Sequence, residues 1–297
     1  MPNEETRSQR LALPALLVGG IAIGFSPIFV RLSELGPIAT GFYRLFLALP
    51  LLWLWMRWEG RAGEQARGRH WLPLAVPGIL FAGDIFFWHW SITYTTVANA
   101  TLFANLAPVI VTFGAWLYLR ERITVRFLVG LALAMGGAAL LVNASVALGS
   151  RYVLGDALGL ITACFFGGYV IAVARLRDRY AASTIMFYSS AVTCVLLLAV
   201  TLAWGESLLP ASAHGWIALV ALAWISQAMG QGLIAYALGH LPASFSAVVI
   251  LIEPVTAAIL GWVWLGEMLG ALQMLGGVIV LAGILAARGA SGPSGED

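Results

Sequence analysis

The stretch PVIVTFGAWLYLRE, residues 108–121, returns as PVTAAILGWVWLGE at residues 254–267. Seven residues recur in order, each 146 positions on: Pro108/Pro254, Val109/Val255, Trp116/Trp262, Leu119/Leu265, Glu121/Glu267, Gly130/Gly276 and Gly137/Gly283. A fixed internal period means one structural unit built twice. Both copies lie in runs too apolar for a water-soluble domain, and between them the chain crosses the membrane an odd number of times. The second copy therefore enters the bilayer from the opposite face. Such an inverted repeat suits a transporter whose site lies at mid-depth.

Composition agrees. Hydrophobic residues make up 61% of the 297 and charged residues 10%, with a mean hydropathy of +0.90, which excludes an ordinary soluble domain. All sixteen basic residues are arginines. They are spread between apolar runs rather than gathered on one element, which argues against a nucleic-acid surface.

Runs of about 20 apolar residues, the length that crosses a bilayer, give ten spans: 11–30, 37–56, 71–92, 96–119, 123–142, 155–174, 184–204, 215–238, 242–265 and 269–287. The expected fold is an all-α membrane protein, ten transmembrane helices in two inverted five-helix repeats. These cover 11–142 and 155–287, with a linker at 143–154 and short polar tails at 1–10 and 288–297. The first span is too long for a signal peptide and lacks a small-residue cleavage site. With the N-terminus inside, thirteen arginines fall on inner segments, only Arg31 and Arg151 on outer loops, and Arg44 inside a span. That bias is the positive-inside pattern, and it predicts a multi-pass inner-membrane protein with both termini cytoplasmic.

The two cysteines, Cys164 and Cys194, each sit in a span and read as packing rather than as a disulfide or metal pair. With no zinc spacing, P-loop or haem motif in the chain, no cofactor or metal is expected.

The strings LAPVIVTFGAWLYLRE and LIEPVTAAILGWVWLGE, each followed by a Gly-containing span, resemble the EamA repeat of the drug/metabolite transporter superfamily. Two such repeats cover nearly the whole chain. The resemblance implies a ten-helix carrier of inverted repeats that exports amino acids, metabolites or toxic cations, with aromatic amino acid exporters of the YddG type as the narrower candidate. The halves differ at one telling position: Ala107 stands where the second half has Glu253.

An ionisable group inside lipid costs roughly 2.5–3.5 kcal/mol on insertion scales, so each such residue is a functional candidate. Glu253, beside Pro254, could carry a coupling proton, meet a substrate amine, or simply donate to a loose carbonyl. Arg44 could bind a substrate carboxylate in two-pronged fashion, or pair with an acid such as Asp84. Asp84 reads as a polar cavity group, and a relay from it through His89 is conceivable. Trp224, Gln227 and Gln231 stand at i, i+3 and i+7 on span eight, and Thr101 and Asn105 at i and i+4 on span four. Each pair or stripe could glue helices or line a pathway, where Trp224 would stack on an aromatic solute. Pro108 and Pro254 each remove a backbone donor at mid-span and free the carbonyls of Ala104 and Ile250, a kink that can serve as a hinge. Glu121 and Glu267, duplicated at the start of the following helices, read as dipole caps.

Three function classes follow. A secondary transporter moving a small organic solute outward by alternating access fits the repeat, with a single chain sufficient to enclose the site. Its energy would come from protons or from the solute's own gradient. An intramembrane enzyme acting on a lipid-like substrate would need a paired-acid, dyad or metal motif that the spans lack. A channel would need a continuous polar pore, which such apolar spans do not supply. Export of cationic drugs is the alternative cargo.

Overall fold

The computed structural model describes residues 2–59, 72–95, 100, 103–142, 153–266 and 270–288. All regular structure among them is helical. Seven helical rods are long and apolar enough to cross a membrane: Gln9–Leu32, Pro37–Glu59, Val153–Arg177, Ala182–Trp204, Ala213–Ala237, Ala243–Trp264 and Ala271–Arg288. Three shorter apolar helices, Leu72–Trp88, Ala107–Leu119 and Val125–Leu141, stand where the sequence predicts spans three, four and five. The linker 143–152, the Arg61-to-His70 part of the inner loop, Thr101 and Glu267 lie outside the described residues, as does the side chain of His89.

Packing makes the repeat visible. The fifth and tenth spans cross with Gly137 against Gly276 and Gly130 against the backbone around Gly283. A Cβ on Gly137 would come within 2.7 Å of the Gly276 carbonyl oxygen, and one on Gly276 within 2.7 Å of the Gly137 oxygen. Each repeated glycine thus meets the counterpart of the other one, Gly137 meeting Gly276 and Gly130 meeting Gly283, which is the order an antiparallel crossing of two like helices gives. Small residues substitute for the hydrophobic drive that is absent between helices in lipid. The exchange recurs elsewhere: span one packs on spans eight and nine, its Gly19 against Gly230 and Ile234 and its Gly24 against Thr256. Span six packs likewise on three and four, with Gly159 against Ser91 and Phe103 and Gly167 against Ile110.

Several rods are broken near their middles. Span one changes helix at Phe25, span two at Leu47–Ala48, span four at Asn105–Leu106 and span nine at Leu251. A proline follows each break within the first three residues of the next helix: Pro27, Pro50, Pro108 and Pro254. That placement costs no hydrogen bond, because the first turn of a helix has no partner for its N–H groups. The breaks before Pro108 and Pro254 fall between each proline and the carbonyl it was expected to free, Ala104 and Ile250, and each proline stands in the first turn of the helix that follows, Ala107–Gly114 or Ile252–Leu265. Span eight is deformed differently, running as a π-helix over Leu222–Gln231.

Glu121 needs a correction. It does not cap the helix that follows it; its carboxylate takes the first turn of span nine in the other half, accepting from the backbone N–H of Ala243 at 2.6 Å and of Ser244 at 3.2 Å. Arg120 is the reason. Its left-handed backbone, φ 56°, turns the next residue away from the helix Val125–Val142.

Candidate functional site

The breaks converge. Arg44 ends the helix Pro37–Phe46 just before the Leu47–Ala48 break, and Ser26 opens the helix after the Phe25 break. The π segment of span eight supplies Gln227 and Gln231, and the start of Ile252–Leu265 supplies Glu253. Interrupted helices leave backbone groups and side chains free to face inward, so such breaks mark where carriers hold cargo.

Arg44 is the hub. Its Nε donates to Gln227 Oε1 at 2.9 Å and its Nη1 to Ser26 Oγ at 3.2 Å, while the guanidinium lies over the Phe81 ring, 5.5 Å from its centre. A desolvated contact of that last kind is worth about 2 kcal/mol. Gln227 passes the network on, donating through Nε2 to Ser190 Oγ at 3.4 Å. Phe81 stacks on Tyr169 with centres 4.9 Å apart, and the Tyr169 hydroxyl points at Gln231 Oε1, 3.5 Å away, and Met186 Sδ, 3.7 Å away. Asp84 and Glu253 lie close enough to interact electrostatically with Arg44 and with each other. Among the described residues no ion pair joins Arg44 directly to either acid. A guanidinium has five N–H donors, so two protein hydrogen bonds leave it donors for a bound anion.

Arg44, Asp84, Gln227, Gln231 and Glu253 are thus brought together. Trp224 is not. A π turn takes more residues than an α turn, so Trp224 rotates off the face it would share with Gln227. Its side chain is 50% exposed and its indole donates to the Leu47 carbonyl at 3.2 Å, stapling span eight to the break in span two. Asn105 stands in the turn that breaks span four, its Nδ2 buried without a hydrogen-bond partner among the described residues. Ser26, Phe81, Tyr169, Met186 and Ser190 complete the cluster and were not anticipated. A Ser-Pro pair in mid-span was the available signal for Ser26. Ser190 lies one residue beyond Ser189, the position that alignment through Phe42-Tyr43 and Phe187-Tyr188 matches to Arg44.

The model of the EamA-like transporter family matches residues 10–143 and again 153–288. The chain is 30% identical over 246 residues to the pseudopaline exporter CntI of Pseudomonas aeruginosa, covering 82% of this chain and 84% of that protein. It is 27% identical over 278 residues to a transporter of Archaeoglobus fulgidus, covering 92% and 94%. A probable terminal-alkyne amino-acid exporter of Streptantibioticus cattleyicolor is 29% identical over 206 residues, 66% of each chain. A solved crystal structure superposes with a TM-score of 0.82 over 96% of this chain and 98% of the other at 17% identity, a likeness of fold alone.

Proposed function

This chain belongs to the EamA-like transporter family, and we propose that it exports a small zwitterionic solute, an amino acid or a related metabolite, by alternating access. The observation that carries this reading is the Arg44 hub at the helix breaks, with two carboxyls near it but not paired to it. A carboxylate-bearing solute would take the free guanidinium donors in a two-pronged contact, and its amine would face Asp84 or Glu253. Phe81 and Tyr169 offer an aromatic wall for an apolar side chain. A lone cation would meet Arg44 unfavourably, which counts against cationic drugs as cargo. That relatives carry the names of exporters supports the outward direction.

In this reading ten spans form two inverted halves in the inner membrane with both termini cytoplasmic, as the arginine bias and the antiparallel glycine crossing support. Thr101 and Asn105 would extend the pathway wall on span four, and His89 would serve span three. Glu253 would couple a proton to solute movement. Proteoliposomes test the set: a saturating flux with counterflow of neutral amino acids is expected, and Glu253→Gln should abolish only the part driven by a proton gradient. Non-saturating flux without counterflow would mean a channel.

A further inference from the structure

Four glutamates at the ends of spans each bind the first turn of a span in the opposite half. Glu34 accepts from Ser212 N at 3.0 Å and Ser212 Oγ at 2.6 Å, and Ser212 itself caps the helix Ala213–Ala221. Glu206 accepts from Ala39 N at 2.7 Å, in the first turn of Pro37–Phe46. At the other end Glu121 holds Ala243, Ser244 N and, at 2.5 Å, Ser244 Oγ. Glu59 accepts from Ser183 Oγ at the start of Ala182–Trp204.

The backbone is arranged for three of these contacts, those of Glu34, Glu121 and Glu206. Four described residues are left-handed: Glu34 at φ 61°, Arg120 at 56°, Gly205 at 71° and Gly266 at 68°. The first is one of the four glutamates; the others directly precede Glu121, Glu206 and Glu267. At Arg120 and Gly205 the left-handed residue that ends a helix is followed by a glutamate, Glu121 or Glu206, that reaches the other half. The receiving turns make room as well. A Cβ on Gly36 would run into the Glu206 carboxyl, and one on Gly215 would sit 2.7 Å from Glu34 Oε2. The Ser212 hydroxyl holds the Glu34 carboxyl below the usual glutamate range, which keeps it an anion facing the positive end of a helix.

Resting on the transporter reading, we infer that these carboxylates are the latches of the two mouths. Glu34 and Glu206 hold the outer mouth shut, Glu59 and Glu121 the cytoplasmic mouth, and each half-cycle releases one pair while the other stays made. Carboxylates bound to the N–H and hydroxyl groups of a helix's first turn suit the task, because water can replace both partners once a mouth opens. The closed bond is favourable but easily exchanged.

Thiol accessibility tests this without any solute, so its outcome is separable from that of the flux assay. In a Cys164→Ala/Cys194→Ala background, Ala243→Cys and Ala39→Cys report on the inner and outer latches; both alanines are buried. Vesicles of each orientation are treated with a membrane-impermeant maleimide. Glu121→Gln, alone or with Ser244→Ala, is expected to speed inner labelling about tenfold and to slow outer labelling, a population shift between two states. Gly36→Ala, which displaces Glu206 without altering a charge, should do the reverse. Unchanged labelling, or faster labelling at both reporters with one variant, would overturn the inference.

Discussion

Among single residues, Gln227 decides most. It is 1% exposed and stands between Arg44 and Ser190, its carbonyl facing one and its amide the other. Replacing it with leucine keeps the volume and leaves the Arg44 Nε donor without its partner, a loss of about 1–3 kcal/mol. Gln227→Leu is therefore expected to lower the melting temperature and to weaken solute affinity about tenfold, read by thermal unfolding and by equilibrium binding. Loss of stability with unchanged affinity would make the glutamine structural only. Sequence spacing found Gln227 and Gln231 because four residues keep nearly one face on either kind of turn. Spacing also put Trp224 on the face of Gln227, but three residues do not keep one face on a π turn, and a π segment leaves no mark in composition. Tyr169 escaped notice because one tyrosine in an apolar span looks like packing until Phe81 and Gln231 are seen beside it.

At the level of elements, the crossing of spans five and ten discriminates between adjacent glycines. Gly137 has Val280 N and Gly276 O within 2.7 Å of where a Cβ would lie, all backbone that cannot yield, whereas around Gly136 nothing lies within 4 Å. Gly137→Ala is expected to destabilise the protein by at least about 1–3 kcal/mol. Gly136→Ala should be neutral or gain up to about 1 kcal/mol from helix propensity. Thermal unfolding of the two variants in detergent makes the comparison, and equal behaviour would contradict this crossing. The pairing of Gly130 and Gly137 with Gly276 and Gly283 was legible as a repeat in the sequence, though which glycine met which was not. The prolines announced irregular spans. Where each span breaks, at Phe25, Leu47–Ala48, Asn105–Leu106 and Leu251, is marked by a turn-forming residue only at Asn105, so the sequence did not show the exact positions.

For the whole molecule, apolar runs and the 146-residue period carried the all-helical, two-repeat architecture, because a span must be apolar and a repeat must fold alike twice. The contacts between halves were hidden. Glu121 looked like a cap for its own neighbour, and only the left-handed turn at Arg120 sends it across to Ala243. The site was half legible: charged residues in lipid stand out, while the serines and aromatics that hold them do not. The central claim is that two halves enclose a guanidinium reserved for the carboxylate of a solute. Equilibrium binding to the purified protein, comparing neutral amino acids with their carboxamides, tests it most directly. Saturable binding of the acids, at least about tenfold weaker binding of the amides and loss of that difference in Arg44→Gln are expected. Equal affinity for acid and amide, or an Arg44→Gln variant that still tells them apart, would contradict it.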